Sequence, residues 1–209
     1  MAEAGAIGGM ALSGSDALPL VGPNAINRIA EALIAAHGAA KAQDVFASAG
    51  LAGWLHEQPG TMIPENDVAA LHRALFASLG GPEARAIAGE AGHRAARHLL
   101  AHRIKGPVRL ALTLLPPEPS ARILLGIIRR HAWTFVGSGQ YEARATPPVT
   151  VSITGGALRA AGPAASGVAA YYAATFEGLF RVVVHPRAHA AALKRATETC
   201  ASCSFSLTW

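Results

Sequence analysis

The strongest constraint on the fold is a change in hydrophobic periodicity near residue 133. Before this point apolar residues recur at helical spacing, and Pro and Gly mark the helix ends. After it, residues 140–145 and 149–154 alternate apolar and polar side chains around Thr146-Pro147-Pro148, which predicts a β-hairpin. We therefore expect an α/β protein of the α+β type, with a helical N-terminal half followed by a small antiparallel sheet.

A single domain with a short tail accounts for the 209 residues. Residues 1–20 are rich in Gly, Ala and Ser and are predicted to be a flexible tail. The domain, 21–209, divides into a mainly helical part, 21–133, and a sheet-containing part, 134–209. Residues 167–184 are apolar nearly all round, so this predicted helix is expected to be central, with the sheet packed on it.

The expected boundaries follow from Pro, Gly and capping residues. The helical part is predicted to hold helices over 24–38, 40–49, 65–80 and 82–103, and a later helix capped by Ser120. The C-terminal strands are predicted over 190–197 and 204–209, around a turn that holds Cys200 and Cys203.

The formal net charge of +5 is unevenly distributed. Residues 1–69 carry two basic and seven acidic residues, whereas residues 70–209 carry sixteen and six. The second part is expected to prefer an anionic partner. Nucleic acid is the weakest candidate, because the bases are scattered singly among alanines without a binding motif. An anionic membrane surface, an acidic protein and a small molecule with carboxylates remain.

The two cysteines, Cys200 and Cys203, exclude a disulfide framework and favour a reducing cytoplasm. No uncharged apolar run approaches the length of a membrane span, so we expect at most peripheral contact with a membrane.

Candidate ligand-binding residues are concentrated at the junction between the two parts, residues 127–139. Arginine pairs with carboxylates and aromatic rings stack on flat ligands, so the junction could hold an aromatic molecule that carries carboxylates. The alternative is a helix end whose bases favour the helix dipole and whose aromatic side chains lie in the core. The basic and aromatic residues concerned are Arg129, Arg130, His131, Trp133 and Phe135.

Three segments of the chain resemble the BchJ family of bacteriochlorophyll biosynthesis proteins: residues 100–104 (LAHRI), 130–139 (RHAWTFVGSG) and 173–181 (AATFEGLFR). The resemblance covers the chain from about Val21 to its end. It implies a vinyl-reductase domain, with a fold similar to TRAPP transport subunits, and a role in tetrapyrrole metabolism. It also implies that any peripheral membrane contact is at the photosynthetic membrane.

The first hypothesis is a carrier or assembly factor that binds magnesium protoporphyrin or divinyl protochlorophyllide. Trp133 and Phe135 would stack on the macrocycle, the arginines would pair with propionates, and His131 or His102 could ligate magnesium. His102 shares a helix face with His98, and a solvated basic face is the alternative for that pair. The expected ligand-binding residues are Arg129, Arg130, His131, Trp133, Phe135, His102, Tyr172 and Phe176.

Two further hypotheses come from other classes. The family name implies a vinyl reductase, which would need a nicotinamide or ferredoxin partner. Gly137-Ser138-Gly139 does not continue into a dinucleotide-binding pattern, and two cysteines cannot hold an iron–sulfur cluster, so no cofactor is required by the sequence. The third hypothesis is an interaction module for pathway enzymes such as magnesium chelatase or its methyltransferase. A homodimer is left open.

A structural zinc is the remaining possibility. Sensor members of the wider family hold zinc with cysteines and a glutamate, and here only Glu198, Cys200 and Cys203 match. Zinc needs four ligands, and His185 and His189 are the other near candidates in sequence. The alternative is two inert thiols.

Overall fold

The computed structural model describes residues 18–194 and 201–209. The helices are α1 Asn24–Ser48, α2 Gly53–His56, α3 Glu65–Leu79, α4 Gly81–His102, α5 Gly106–Thr113, α6 Pro117–Arg130, α7 Trp133–Val136, α8 Gly156–Ala161 and α9 Ala165–Val183. The strands are β1 Leu20–Val21, β2 Ile63–Pro64, β3 Gln140–Arg144, β4 Val149–Thr154, β5 His189–Lys194 and β6 Ser202–Thr208. The order of elements confirms an α+β protein.

Helices α3 and α4 follow the predicted boundaries to within one residue. Gly38 has φ 81° and interrupts α1 where two separate helices were predicted. Residues 1–17 of the expected tail lie outside the described residues, and Leu20 already pairs with Pro64 between β1 and β2. None of the helices in the described ranges is both long and apolar enough to cross a membrane.

The predicted N-cap at Ser120 is wrong. Helix α6 begins three residues earlier, at Pro117, where the fixed φ of proline suits the first turn. Ser120 lies inside the helix and is fully buried, and its hydroxyl donates to the carbonyl of Val183 at 3.0 Å. The hydroxyl thus connects α6 to the C-terminal end of α9.

The four-stranded sheet has the order β3-β4-β6-β5, with every pair antiparallel. Apolar residues alternate along β4, and the buried positions Val151 and Ile153 lie opposite Phe205 and Cys203 of β6. The ring of Phe205 packs 5.4 Å from that of Phe176 on α9, as the predicted packing of the sheet on the central helix requires. The sheet therefore has one face in the core.

The centre of the molecule is the contact between α4 and α9. A Cβ atom on Gly92 would overlap the backbone of Tyr171, and one on Gly178 would lie 2.6 Å from the Cβ atom of Ala96. The residue numbers of the facing positions rise together, so the two helices run in the same direction. Glycine and alanine at these positions allow the helix backbones to approach closely.

Candidate functional site

The junction begins where α6 ends at Arg130. The His131 ring holds this end, because its Nδ1 lies 2.9 Å from the carbonyl oxygen of Ile127. The hydroxyl of Thr134 donates to the His131 carbonyl at 2.7 Å, and the backbone N–H of Gly22 in turn donates to the Thr134 carbonyl at 2.6 Å. These bonds fix the short helix α7 against the start of the domain.

The basic residues of the junction and Trp133 form an exposed group. Arg129, Arg130 and His131 are all exposed, and Trp133 is 63% exposed. The Arg129 guanidinium donates to the carbonyl of Ala143 on β3 at 3.3 Å, which directs it towards the sheet. The group therefore offers an aromatic face and positive charge to the solvent.

The other aromatic residues of the predicted site form a cluster in the interior. The ring centroid of Phe135 lies 6.1 Å from that of Tyr172 and 6.4 Å from that of Phe176. The Tyr172 hydroxyl donates to the Phe135 carbonyl at 2.8 Å. Tyr141, which was not predicted to belong here, stacks on Phe176 at 6.1 Å. Burial raises the pKa of both tyrosines, so they stay protonated at neutral pH.

The structure thus separates two aromatic residues that were expected to act together. Trp133 and Phe135 are two positions apart on one helical turn, and each residue of an α-helix rotates the side chain by about 100°. Their side chains therefore leave the helix in roughly opposite directions. Trp133 reaches solvent, whereas Phe135 joins the buried cluster.

Glu65 is the residue of this region that sequence reasoning missed. The sequence indicated only that it begins the predicted helix over 65–80. In the structure it is buried, and its carboxylate accepts bonds from the Ser138 backbone N–H at 2.8 Å and the Ser138 hydroxyl at 2.6 Å. Gly137 has φ 58°, and a Cβ atom there would overlap the same carboxylate. Glycine at position 137 thus leaves room for this contact.

His102 contacts His98, one turn earlier on α4. Its ring stacks on that of His98 with centroids 4.3 Å apart, and its Nδ1 lies 3.0 Å from the His98 carbonyl oxygen. Burial, followed by the positive charge of Arg28, lowers the pKa of His98. The predicted pairing of the two histidines on one helix face is confirmed.

A pocket of about 420 Å³ lies along residues 53–64, including Trp54 and Met62. Its last residues form β2, which pairs with β1, and β1 contacts α7. The pocket is therefore connected to the junction through β1. The sequence predicted no helix or strand over residues 50–64.

The predicted zinc ligands are only partly within the described residues. Glu198 and Cys200 lie outside them. Cys203 lies in β6 rather than in the predicted turn, and burial raises the pKa of its thiol to about 12. His189 pairs with Thr208, five residues along β6 from Cys203, a separation of roughly 17 Å. Within the described ranges no three His, Cys, Asp or Glu residues are grouped for a metal.

No protein-family model matches the chain. A bacteriochlorophyll synthase 23 kDa chain from Rhodobacter capsulatus is 32% identical over 199 residues, which cover 95% of this chain and 92% of the relative. The chain belongs to this family. A second bacteriochlorophyll synthase 23 kDa chain, from Cereibacter sphaeroides, is 34% identical over 194 residues, 90% of this chain and 89% of its own length.

Membership of the 23 kDa chain family confirms the bacteriochlorophyll biosynthesis family expected from the three sequence segments. Because the match spans nine-tenths of the chain or more, it takes in both the helical part and the sheet. The similarity to TRAPP subunits stays a prediction.

Proposed function

We propose that the chain binds a magnesium tetrapyrrole intermediate, magnesium protoporphyrin or divinyl protochlorophyllide, as a carrier or assembly factor of bacteriochlorophyll biosynthesis. We propose further that its fold is the TRAPP-subunit-like vinyl-reductase domain. The observation that carries the binding proposal is the exposed tryptophan, Trp133, within four residues of two exposed arginines. The names of the two relatives supply the pathway.

The ligand would lie on an open surface rather than in the aromatic cluster, which is already filled by its own rings. The indole of Trp133 offers a face for stacking, and Arg129 and Arg130 offer guanidinium groups for the propionates. The carbonyl of Ile127 can only accept, so His131 Nδ1 carries the hydrogen in a neutral ring. The lone pair of Nε2 would then be available for axial ligation to magnesium.

This function requires no redox cofactor of the chain itself. Its partners would be enzymes that make or use the tetrapyrrole, such as magnesium chelatase or its methyltransferase, and a homodimer is compatible with it. We propose a cytoplasmic location with peripheral contact at the photosynthetic membrane. In this arrangement the arginines select an anionic ligand, and the tryptophan selects a flat one.

The proposal is tested by titrating the protein with magnesium protoporphyrin and following the Soret band. Trp133→Ala is expected to weaken binding by roughly 1–3 kcal/mol, because stacking area is lost. Stability should stay nearly unchanged, since the indole is exposed. Trp54→Ala, which alters the 53–64 pocket, is the comparison variant and should bind as the unaltered protein does. Loss of binding only in Trp54→Ala would move the site to that pocket.

The role of the arginines is tested with the ester of the same ligand. Arg130→Ala should weaken binding of the free propionate more than that of its methyl ester, because only the carboxylate forms a charge-assisted pair. Absence of any Soret shift at micromolar concentrations would refute tetrapyrrole binding. Anaerobic incubation with a divinyl substrate and NADPH covers the reductase alternative, and turnover would replace the carrier role. A protein that neither binds nor reacts would favour the interaction module.

A further inference from the structure

Helix α5 presents most of its apolar side chains to solvent. Leu112 is its buried residue, whereas Leu110 is 61% exposed and Leu114, directly after the helix, is 77% exposed. Leu110 and Leu114 are four residues apart and so share one face, opposite that of Leu112. Further exposed apolar side chains lie elsewhere on α5, directly after it and on α6: Val108, Leu115 and Ile123.

Basic residues are frequent in the sequence before and after α5. From residue 91 to residue 141 the chain contains eight basic residues and one acidic residue, Glu118. Arg103 and Lys105 are exposed immediately before α5, and Arg122 is exposed beside Ile123 on α6. A partner with a neutral apolar surface would gain nothing from these exposed bases. The positive charge therefore indicates an anionic partner.

The position of α5 is fixed by the protein core. The Arg109 guanidinium donates to the Leu100 carbonyl at the end of α4, at 3.1 Å, and α5 also contacts α9. The outer leucines are therefore held on a folded support, and their exposure does not come from a frayed end.

We propose that the outer face of α5, defined by Leu110 and Leu114, docks on the surface of an anionic lipid bilayer together with the exposed bases Arg103 and Lys105 before α5 and Arg122 on α6. Protruding leucines flanked by bases are the pattern of helices that lie in the membrane interface. The leucines enter the boundary with the acyl chains, and the bases meet lipid phosphates. A second copy of the chain fits poorly, because a two-fold contact would bring the same positive charge against itself.

This inference rests on the peripheral membrane contact proposed above and not on tetrapyrrole binding. Its test is flotation of the full chain with vesicles of phosphatidylcholine, with or without phosphatidylglycerol, in the absence of any tetrapyrrole. The protein should float with the vesicles that contain phosphatidylglycerol and not with neutral ones.

Combining Leu110→Gln with Leu114→Gln should reduce binding at least about tenfold. Arg103→Gln and Lys105→Gln should each reduce it about fivefold.

Leu193→Gln is the matched control, because Leu193 is also 61% exposed but lies on the edge strand β5. It should float as the unaltered chain does. Hydrogen exchange of residues 106–115 in the unaltered chain should slow when the anionic vesicles are added, a measurement that needs no variant. Equal loss in the Leu193 variant, no binding to anionic vesicles, or binding only to an acidic protein through α5 would each overturn the proposal. The Soret titration without lipid judges tetrapyrrole binding separately.

Discussion

His72 on α3 is the buried histidine of the described core. It is 1% exposed, and neither ring nitrogen has a hydrogen-bond partner within the part of the chain that the structure describes. Its neighbours are Phe76 and Gly167. A Cβ atom added to Gly167 would lie 2.9 Å from His72 Nδ1. Because the site is closed and apolar, burial lowers the pKa of His72 from 6.5 to about 4.

This shift predicts a pH dependence of stability. The unfolded chain takes up a proton near pH 6.5, whereas the folded protein resists it until about pH 4. The contribution of neutral His72 is therefore complete above the unfolded pKa. It falls by about 3 kcal/mol as the pH drops from 6.5 to 4. Urea unfolding of the unaltered chain and of His72→Leu across this range should show that the variant loses this part of the slope.

His56→Leu serves as the control for this measurement, because His56 is exposed on α2. It should leave the pH dependence nearly unchanged. At neutral pH His72→Leu should be about as stable as the unaltered chain or more so, since it removes two unpaired nitrogens from an apolar site. A slope that persists in His72→Leu would assign the pH dependence to other groups.

Glu65 gives a second prediction at this scale. Glu65→Ala should lower the free energy of unfolding by about 2–3 kcal/mol, because the N–H and the hydroxyl of Ser138 both lose their acceptor, the buried carboxylate of Glu65. Glu118→Ala is the control, since Glu118 is an exposed glutamate in the first turn of α6. Its loss should cost at most about 0.5 kcal/mol. Equal effects of the two variants in denaturant unfolding would show that Glu65 acts only through the helix dipole.

Among the elements, α4 carries two glycines in contrasting surroundings. Gly92→Ala should destabilise the protein, because its Cβ atom would meet the backbone of Tyr171 on α9 and force the helices apart. Gly89→Ala meets nothing within 4 Å, so it should stabilise the protein by roughly 0.5–1 kcal/mol through helix propensity. Opposite shifts in the melting temperature are expected. A melting temperature that rises for Gly92→Ala as well would mean that α4 and α9 tolerate separation.

Sequence periodicity was sufficient to predict the bounds of the long helices and strands and insufficient to predict the short ones. Helices α3, α4 and α9 and strand β4 were predicted nearly to the residue, since their apolar residues repeat over several turns or alternations. Helices α5 and α8 were not assigned, because six to eight residues give too little periodicity. Ser120 looked like a cap but serves a contact with α9, and that partner lies 63 residues away.

Local sequence patterns also predicted only part of the candidate site. The residue types at the junction were visible in sequence, but their separation into an exposed group and a buried cluster depends on how α7 sits between β1 and α9. Glu65 is 73 residues from Ser138, so no local pattern could connect them. The site residues therefore stay a prediction until ligand binding is measured.

At the scale of the whole molecule, the contact between α4 and α9 joins the two predicted parts. The basic stretch 91–141 runs from α4 through α5 and α6 to β3, and so crosses the boundary at residue 133. The exposed tryptophan and the outer face of α5 both belong to this stretch. The proposed ligand binding and the proposed membrane docking would therefore both use basic residues of this stretch.

The pairing of α4 with α9 also constrains how the protein is made. The chain as far as Val183 must leave the ribosome before the whole of α9 can cover the alanine and glycine face of α4. Until then the glycine and alanine residues on this face of α4 remain uncovered. These small residues bury little apolar area, so they favour contact with neighbouring segments only weakly. Strands β5 and β6 still follow α9, so the contact between α4 and α9 can form before the sheet is complete, and a chain that stops short of α9 leaves this face of α4 uncovered.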